Sequence, residues 1–404
     1  MKFSPTQDAA LKAVSHWYRH ESKKKQTFKL FGWAGTGKTT LARHFAEDIN
    51  GTVKYACFTG KAAHVMAQKG CVGASTIHRL IYTPKMQSRE RLNKLEDELE
   101  KLKAEPEPQF NIIAEVEKEV TAERENTGRM SFALNMESEL RDASLLILDE
   151  VSMVSMTVGA DLESFGVPIL VLGDPEQLPP IFGEGYFTNS APDILLEEIH
   201  RQALDNPIIA MSKLVREGKP LPLGNYGSSQ VLVGKQDLDK MKDYDIILTG
   251  LRKTKKWCDD KYRSIVGHTT VIPKAGDKVM CVKNNHNLGL LNGQIWECVG
   301  DAVPIGTGQV ILYLRDENKT EISVVAADKP FSGEKLERWE HEEGVQEFEY
   351  AYAITVHKSQ GSQWNNILLF DQKDRFPNFS ARDRQRWLYT GITRAAEKIT
   401  VVRI

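Results

Sequence analysis

Gly32-Trp33-Ala34-Gly35-Thr36-Gly37-Lys38-Thr39 is the stretch on which the reading of this 404-residue chain turns. It matches G-x-x-x-x-G-K-[ST]. An apolar run from Thr27 to Trp33 precedes it and a helical spacing from Thr39 to Asn50 follows. That strand–loop–helix setting is what makes the pattern specific, against a chance match in a glycine-rich turn. Glycines let successive backbone N–H groups turn inward on a β-phosphate, and the helix N-terminus adds partial positive charge. Gly32, Gly35, Thr36, Gly37, Lys38, Thr39 and Thr40 are therefore candidate ATP contacts. Lys38 reaches the β- and γ-phosphates in this arrangement, and the Thr39 hydroxyl holds Mg²⁺.

Working outward, the same rhythm recurs. Val53 to Phe58, Leu145 to Leu148 and Ile169 to Leu172 are short apolar strands separated by helical stretches, the pattern of a parallel sheet covered on both faces. The run Leu145-Leu146-Ile147-Leu148 ends in Asp149-Glu150. A magnesium ion needs a hard oxygen ligand beside the phosphates, which suits Asp149. The adjacent Glu150 is placed to orient and deprotonate the attacking water. A carboxylate pair after an apolar run is usually a plain strand end; its force here comes from the phosphate loop before it.

From Tyr82 to about Asp142 the rhythm breaks. Leu92, Leu95, Leu99 and Leu102 recur at 3,4,3 spacing, the seam of a short helical hairpin or coiled coil. Glu105-Pro106-Glu107-Pro108 ends that helix, and Ile112, Ile113, Val116 and Val120 mark a second. The leucine spacing favours an ordered arm over disorder, which the strong polarity keeps open. A second α/β unit starts near Glu197, with strands at Asp245 to Thr249, Asn366 to Phe370 and Lys398 to Val402. Between them, Gly267 to about Gly344 holds short strands and turns, predicting a small inserted β-barrel. The expected organisation is 1–81 and 143–196 for a first domain, 82–142 for the arm, 197–266 and 345–404 for a second domain, and 267–344 for the barrel.

Composition is ordinary for a globular protein, with no apolar run long enough to span a membrane and no charged-then-apolar leader. The five cysteines form no C-x-x-C pair and read as reduced, buried thiols, so a cytoplasmic location is expected, bacterial or in a phage-infected host. Net charge is -2, but Tyr82 to Asn126 holds twelve Asp/Glu against eight Lys/Arg, leaving the remainder at about +2. Such a balance is compatible with a basic groove on one face.

Further motifs narrow the reading. Gly173-Asp174-Pro175-Glu176-Gln177-Leu178-Pro179-Pro180, Thr355-Val356-His357-Lys358-Ser359-Gln360-Gly361 and Leu388-Tyr389-Thr390-Gly391-Ile392-Thr393-Arg394-Ala395 occur in that order. With Phe58-Thr59-Gly60-Lys61-Ala62-Ala63 and Ser75-Thr76-Ile77-His78, the set resembles superfamily 1 DNA helicases of the RecD and Dda type over nearly the whole chain. The resemblance implies two RecA-type P-loop domains, a helical arm inserted in the first and a small SH3-like β-barrel in the second. It implies ATP and Mg²⁺ as cofactors, and single-stranded and forked duplex DNA as partners. Gln7 resembles an adenine-reading glutamine, though alone it would be an ordinary polar residue of a helix start. Gln177 resembles a γ-phosphate sensor, Arg201 and Arg394 resemble two arginine fingers, and Gly361 joins the nucleotide set.

The implied strand grip comes from Thr59, Lys61, Ser75, Thr76, His78, Thr355 and His357, with His64 and Trp364 as candidates for base stacking beside a plain packing role. Trp33 reads as packing. Members of this branch move 5′ to 3′, and the family's wedge lies where this chain has its acidic arm. Phe110 is a candidate wedge beside the simpler helix-packing reading, while a net charge of -4 turns most of the arm away from DNA. A replication or single-strand-binding protein is a candidate partner for the arm. The compact size resembles phage accessory helicases, and a monomer is expected. Two rivals stay open: an RNA-directed motor of the same superfamily, since phosphate grip does not read the 2′-hydroxyl, and a nucleotide-switched scaffold acting through the arm.

Overall fold

The computed structural model describes residues 3–86, 90–104, 110–126, 130–180, 183–198, 206–234, 238–285, 288–306, 308–317, 319–337, 340–342 and 344–404. The chain opens with α1 (Pro5–His16), β1 (Thr27–Gly32), α2 (Lys38–Glu47), β2 (Val53–Cys57), α3 (Gly60–Gln68), β3 (Ser75–Thr76) and α4 (Ile77–Ile81). A ribbon of β4 (Tyr82–Met86) and β5 (Met130–Leu134) encloses α5 (Glu90–Ala104) and α6 (Phe110–Asn126). Then follow β6 (Leu145–Asp149), α7 (Met156–Glu163), β7 (Ile169–Gly173) and β8 (Ile194–Leu196). The first sheet runs β3-β2-β6-β7-β1-β8, every neighbour parallel. Every residue of β6 and β7 is buried, as their uninterrupted apolar composition demands of strands covered on both faces. Separate cores lie on the two faces, one around Trp17, Leu41 and Leu170, the other around Phe31, Ile77 and Leu148.

Next come α8 (Pro207–Arg216), β9 (Gly224–Tyr226), β10 (Ser229–Val233), β11 (Ile246–Thr249) and α9 (Arg252–Ile265). The insert supplies β12 (Lys278–Cys281), β13 (Ile295–Cys298), β14 (Val303–Ile305), β15 (Gln309–Arg315), β16 (Glu321–Ala327) and β17 (Phe348–Tyr350). The chain returns through β18 (Ala353–Thr355), β19 (Trp364–Asp371), α10 (Ala381–Ile392) and β20 (Ala395–Arg403). The second sheet is β18-β11-β19-β20-β10-β9, parallel except for its β10–β9 edge. Both sheets are therefore doubly wound, and loops at their carboxyl ends form the crevice where ligands sit in such folds.

The insert is a curled antiparallel half-barrel ordered β14-β15-β13-β12-β17, with β16 also on β15. A lone parallel bridge, Ala326 to Gln346, leans β16 towards β17. Where the sequence suggested a small β-barrel, the strand path ends at β14 and β17 without a ladder joining them among the described residues, which leaves an open curl. Its root is welded to α9 by Asp277, fully buried, which accepts from Arg263 Nε (3.1 Å), the Lys274 amide (2.7 Å) and Tyr352 Oη (2.7 Å), with His268 Nδ1 at 2.9 Å. Burial alone would raise the Asp277 pKa; these donors overcome it and hold the carboxyl below its ordinary value.

In the arm, Leu95, Leu99 and Leu102 are half-buried while Ile113 and Val120 are buried, and Lys103 pairs with Glu117 at 2.7 Å. The leucine seam thus packs two helices on each other. The Pro108-Gln109 turn and the Leu92 and Phe110 side chains fall outside the described residues. No described helix is long and apolar enough to cross a membrane, and all five cysteines are buried and free.

Candidate functional site

The phosphate loop follows from local backbone demands. Gly35 and Gly37 both sit at φ +81°, a left-handed conformation that costs glycine nothing. A Cβ on Gly32 would stand 2.6 Å from Thr36 Oγ1 and 2.8 Å from Leu196 Cβ, so only glycine closes this turn against β8. Lys38 Nζ folds back to donate to Gly32 O (2.7 Å) and Trp33 O (3.1 Å), an ammonium held over the loop by carbonyls alone. Thr39 Oγ1 donates to Asp149 Oδ2 at 2.6 Å, joining hydroxyl and carboxylate across the gap between α2 and β6. Thr40 lies half-buried in the first turn of α2.

Gln7 is buried. Its Oε1 accepts from the Ser4 amide (3.0 Å) in a capping box, and its Nε2 donates to Thr36 O (3.1 Å). The glutamine therefore props the loop from below. Trp33 lies under the Arg216 guanidinium of α8, 4.1 Å from carbon to ring centroid.

Glu150 is one of two non-glycine residues with positive φ among those described, at 54°. Such a conformation is uncommon for a side-chain-bearing residue and clusters at functional sites. Its amide donates to Asp149 Oδ1 at 2.8 Å. Burial is the main cause of a raised Glu150 pKa, offset in part by Arg394. Asp174, after β7, is likewise raised by burial, with Lys38 and a hydrogen bond from Tyr389 opposing it.

The motifs of the second sheet close on this cluster. With its side-chain amide oriented so that each end meets a complementary partner, Gln177 donates through Nε2 to Glu150 Oε2 at 3.1 Å and accepts at Oε1 from Arg394 Nη2 at 3.2 Å. Arg394 is buried and also donates to Thr390 O (3.2 Å), Ser362 O (3.4 Å) and Thr393 Oγ1 (3.3 Å). A continuous line, Glu150–Gln177–Arg394, thus crosses from the first sheet to the second. Tyr389 Oη donates to Asp174 Oδ2 at 2.6 Å, and Arg386 donates to Pro175 O at 2.9 Å. Asp174, Tyr389 and Arg386 were missed as site residues; the motifs holding Asp174 and Tyr389 were visible but their pairing was not, and Arg386 lies just outside the motif that holds Tyr389. Arg201 lies outside the described residues.

The strand-contact candidates sit in several distinct settings. Thr59 and Thr76 cap α3 and α4, their hydroxyls accepting from Ala62 (3.3 Å) and Arg79 (3.2 Å), while Ser75 donates to Thr76 O (3.4 Å). Register sets Thr76 beside Cys57 and Cys57 beside Asp149, so these loops and the carboxylates share one sheet end. His78 lies between Phe58 (5.8 Å) and Tyr82 (5.3 Å), and His357 lies 6.5 Å from Phe379. Burial lowers both imidazole pKa values, which keeps the rings uncharged at neutral pH. Thr355 opens a 3₁₀ turn at the end of β18, next to Thr249.

Lys61 and His64 on α3 both face Glu317 of the loop between β15 and β16, at 2.6 and 3.5 Å. Leu291 of the same insert presses on Gly60, 2.8 Å from where a Cβ would stand. Gly361 (φ +78°) has Thr59 and Ala62 as its neighbours, and Trp364 is half-buried against the second core.

Residues 3–235 match the family described as "AAA domain", and residues 350–402 the family described as "UvrD-like helicase C-terminal domain". The chain is 25% identical over 401 residues to the ATP-dependent RecD2 DNA helicase of Deinococcus radiodurans, covering 91% of this chain and 46% of that protein. It therefore spans less than half the length of this curated relative. Among solved structures, Bacteroides Pif1 bound to ssDNA aligns with a TM-score of 0.54 at 16% identity, over 99% of this chain and 92% of that one. The Pif1 helicase of Candida albicans aligns at 0.51 and 18% identity, over 100% and 94%. At these identities the structures establish the fold. With the AAA match alone spanning more than half of its residues, the chain belongs to the AAA-domain family, and its C-terminal segment matches the UvrD-like helicase C-terminal domain.

Proposed function

We propose that this chain is an ATP-driven motor that moves 5′ to 3′ along single-stranded DNA and separates duplex at forks. The observation that carries the reading is the Glu150–Gln177–Arg394 line, which ties a hydrolytic carboxylate on one sheet to a guanidinium on the other. In the proposed reaction Glu150, its pKa raised by burial, accepts a proton from water as the water oxygen attacks the γ-phosphorus. The bond to the bridging oxygen breaks and ADP leaves. Lys38 and Arg394 stabilise the charge that gathers on the γ-phosphoryl oxygens, joined in this proposal by Arg201. The Thr39 hydroxyl and Asp149 carboxylate, 2.6 Å apart, suit a hard six-coordinate cation, and Mg²⁺ bound there would neutralise phosphate charge. Gln7 would read the base, and Gly361 would border the nucleotide.

Because Arg394 reaches the γ-phosphate only when the sheets close, hydrolysis is tied to closure, and alternating grip on the strand gives a step. Thr59, Ser75, Thr76, Thr355, His78 and His357 would hold phosphates as neutral donors, with Lys61 as the cation and His64 and Trp364 as stacking partners. Lys61 and His64 must leave Glu317 to do so. Residues 1–81 with 143–196, and 197–266 with 345–404, would be the two moving bodies. The arm at 82–142 would occupy the place of the family's wedge, with most of its acidic surface away from DNA, and 267–344 would be an SH3-like wall over the strand.

The test is an unwinding assay on forks with one single-stranded tail. With ATP, DNA forks bearing a 5′ tail should open and 3′-tailed forks should not. Opening of 3′-tailed forks alone would reverse the polarity, preference for RNA forks would favour the RNA-directed rival, and ATP turnover indifferent to any strand would leave the switched scaffold.

A further inference from the structure

Leu178 belongs by sequence to the loop after β7, yet its side chain is buried in the core of the second sheet, among residues such as Met211, Val356 and Leu388. Both halves of its adjoining peptide groups are held from that side as well. Its amide donates to Thr390 Oγ1 on α10 at 3.0 Å. Its carbonyl accepts from Gln360 Nε2 at 2.9 Å. Gln360 is buried, 4% exposed, and the same Nε2 also lies 3.4 Å from Ser152 Oγ, two residues beyond Glu150. One side chain therefore touches the segment after the hydrolytic carboxylate and the segment after the sensor amide. It does so from the loop that carries Thr355 and His357.

We infer that Gln360 is a positioning residue that passes the engagement of the strand-contact loop to Gln177. The inference rests on the motor reading above. Gln177 spans Glu150 and Arg394 through two bonds of 3.1 and 3.2 Å, so a shift of a few tenths of an ångström in its backbone decides whether both are made. The Leu178 peptide is the next link along the chain and has no slack: its side chain is packed, its amide is held and its carbonyl is held. Thr390 fixes it to the helix leading to Arg394. Gln360 fixes it to the turn that begins at Thr355, whose residues Val356–Ser359 form one 3₁₀ turn. When a strand binds Thr355 and His357 and that turn shifts, the Leu178 carbonyl moves with it and carries Gln177 into register. Gln360 touches no reacting atom in this scheme. It sets the geometry of a residue that does.

The test uses the full chain with Gln360→Met, which keeps length and bulk and removes the donor, and Gln360→Glu, which keeps polarity and presents an acceptor to the Leu178 carbonyl. ATP turnover is measured with and without an oligo(dT) strand, strand affinity by fluorescence anisotropy, and folding by thermal melting. The expected result for both variants is a fall of about tenfold in the ratio of strand-stimulated to strand-free kcat, with KM for ATP and strand Kd moving less than about twofold. Gln360→Glu covers the case in which Met lowers the melting temperature. An unchanged ratio would overturn the inference. So would a loss of strand affinity in step with the ratio, which would make Gln360 a strand contact, or an equal fall in both rates, which would make it part of the scaffold. If the unaltered chain shows no strand stimulation, the motor reading fails and this inference falls with it, a result separable from the variants.

Discussion

Lys38→Ala should reduce ATP turnover by about 10³-fold or more while strand binding stays within about threefold of the unaltered chain. The size follows from position. Lys38 Nζ is held by two carbonyls of its own loop, Gly32 and Trp33, and by no carboxylate. When a triphosphate arrives, the ammonium exchanges weak neutral acceptors for phosphate oxygens. It then bears on the bond that breaks, beside the buried Asp174 carboxylate, where charge interactions are stronger than in water. Alanine leaves the glycine turn and α2 intact, because neither depends on the side chain. The strand candidates lie on other loops and have none of their contacts through Lys38. Steady-state ATPase with an oligonucleotide, beside anisotropy of the same oligonucleotide, checks both halves. Retained turnover would overturn the assignment of the nucleotide site.

Arg394→Ala should lower strand-stimulated kcat by about 10³-fold with a much smaller change in KM. Arg394 is buried and spreads its three nitrogens over Thr390, Ser362, Thr393 and Gln177. A planar fork satisfies these partners together; the single ammonium of Arg394→Lys does not, so lysine should restore little. A second signature follows from electrostatics. Arg394 is the largest influence holding down a Glu150 pKa that burial raises. Removing it raises that pKa further, so Glu150 gains its base form only at higher pH. The acidic limb of the pH–rate profile for residual activity should therefore move upward. A profile that stays in place would contradict the Glu150–Gln177–Arg394 line.

The parts of the site legible in the sequence are those in which the backbone dictates the residue. Gly35 and Gly37 occupy left-handed positions, and β6 and β7 are apolar throughout because both faces are covered. Strand positions were readable to within a few residues for the same reason; Leu145 to Leu148 became Leu145–Asp149, and Asn366 to Phe370 became Trp364–Asp371. The leucine seam predicted the packed pair of helices in the arm. What spacing could not express is contact between distant segments. Nothing about Leu178 marks it as a member of the second core, and nothing joins Tyr389 to Asp174, Arg216 to Trp33 or Glu317 to Lys61. The insert shows the same limit in another form. Short alternating strands predict a curled sheet, but whether it closes depends on whether its end strands pair, which spacing does not express.

The most direct measurement is a crystal structure of the chain with ADP–aluminium fluoride, magnesium and a short single strand. Arg394 is expected to turn from Ser362 and donate to a fluoride at about 3 Å, with Gln177 still bridging to Glu150 and the strand lying over both sheet ends. A transition-state mimic bound at Lys38 while Arg394 stays on the Ser362 and Thr390 carbonyls would contradict that expectation.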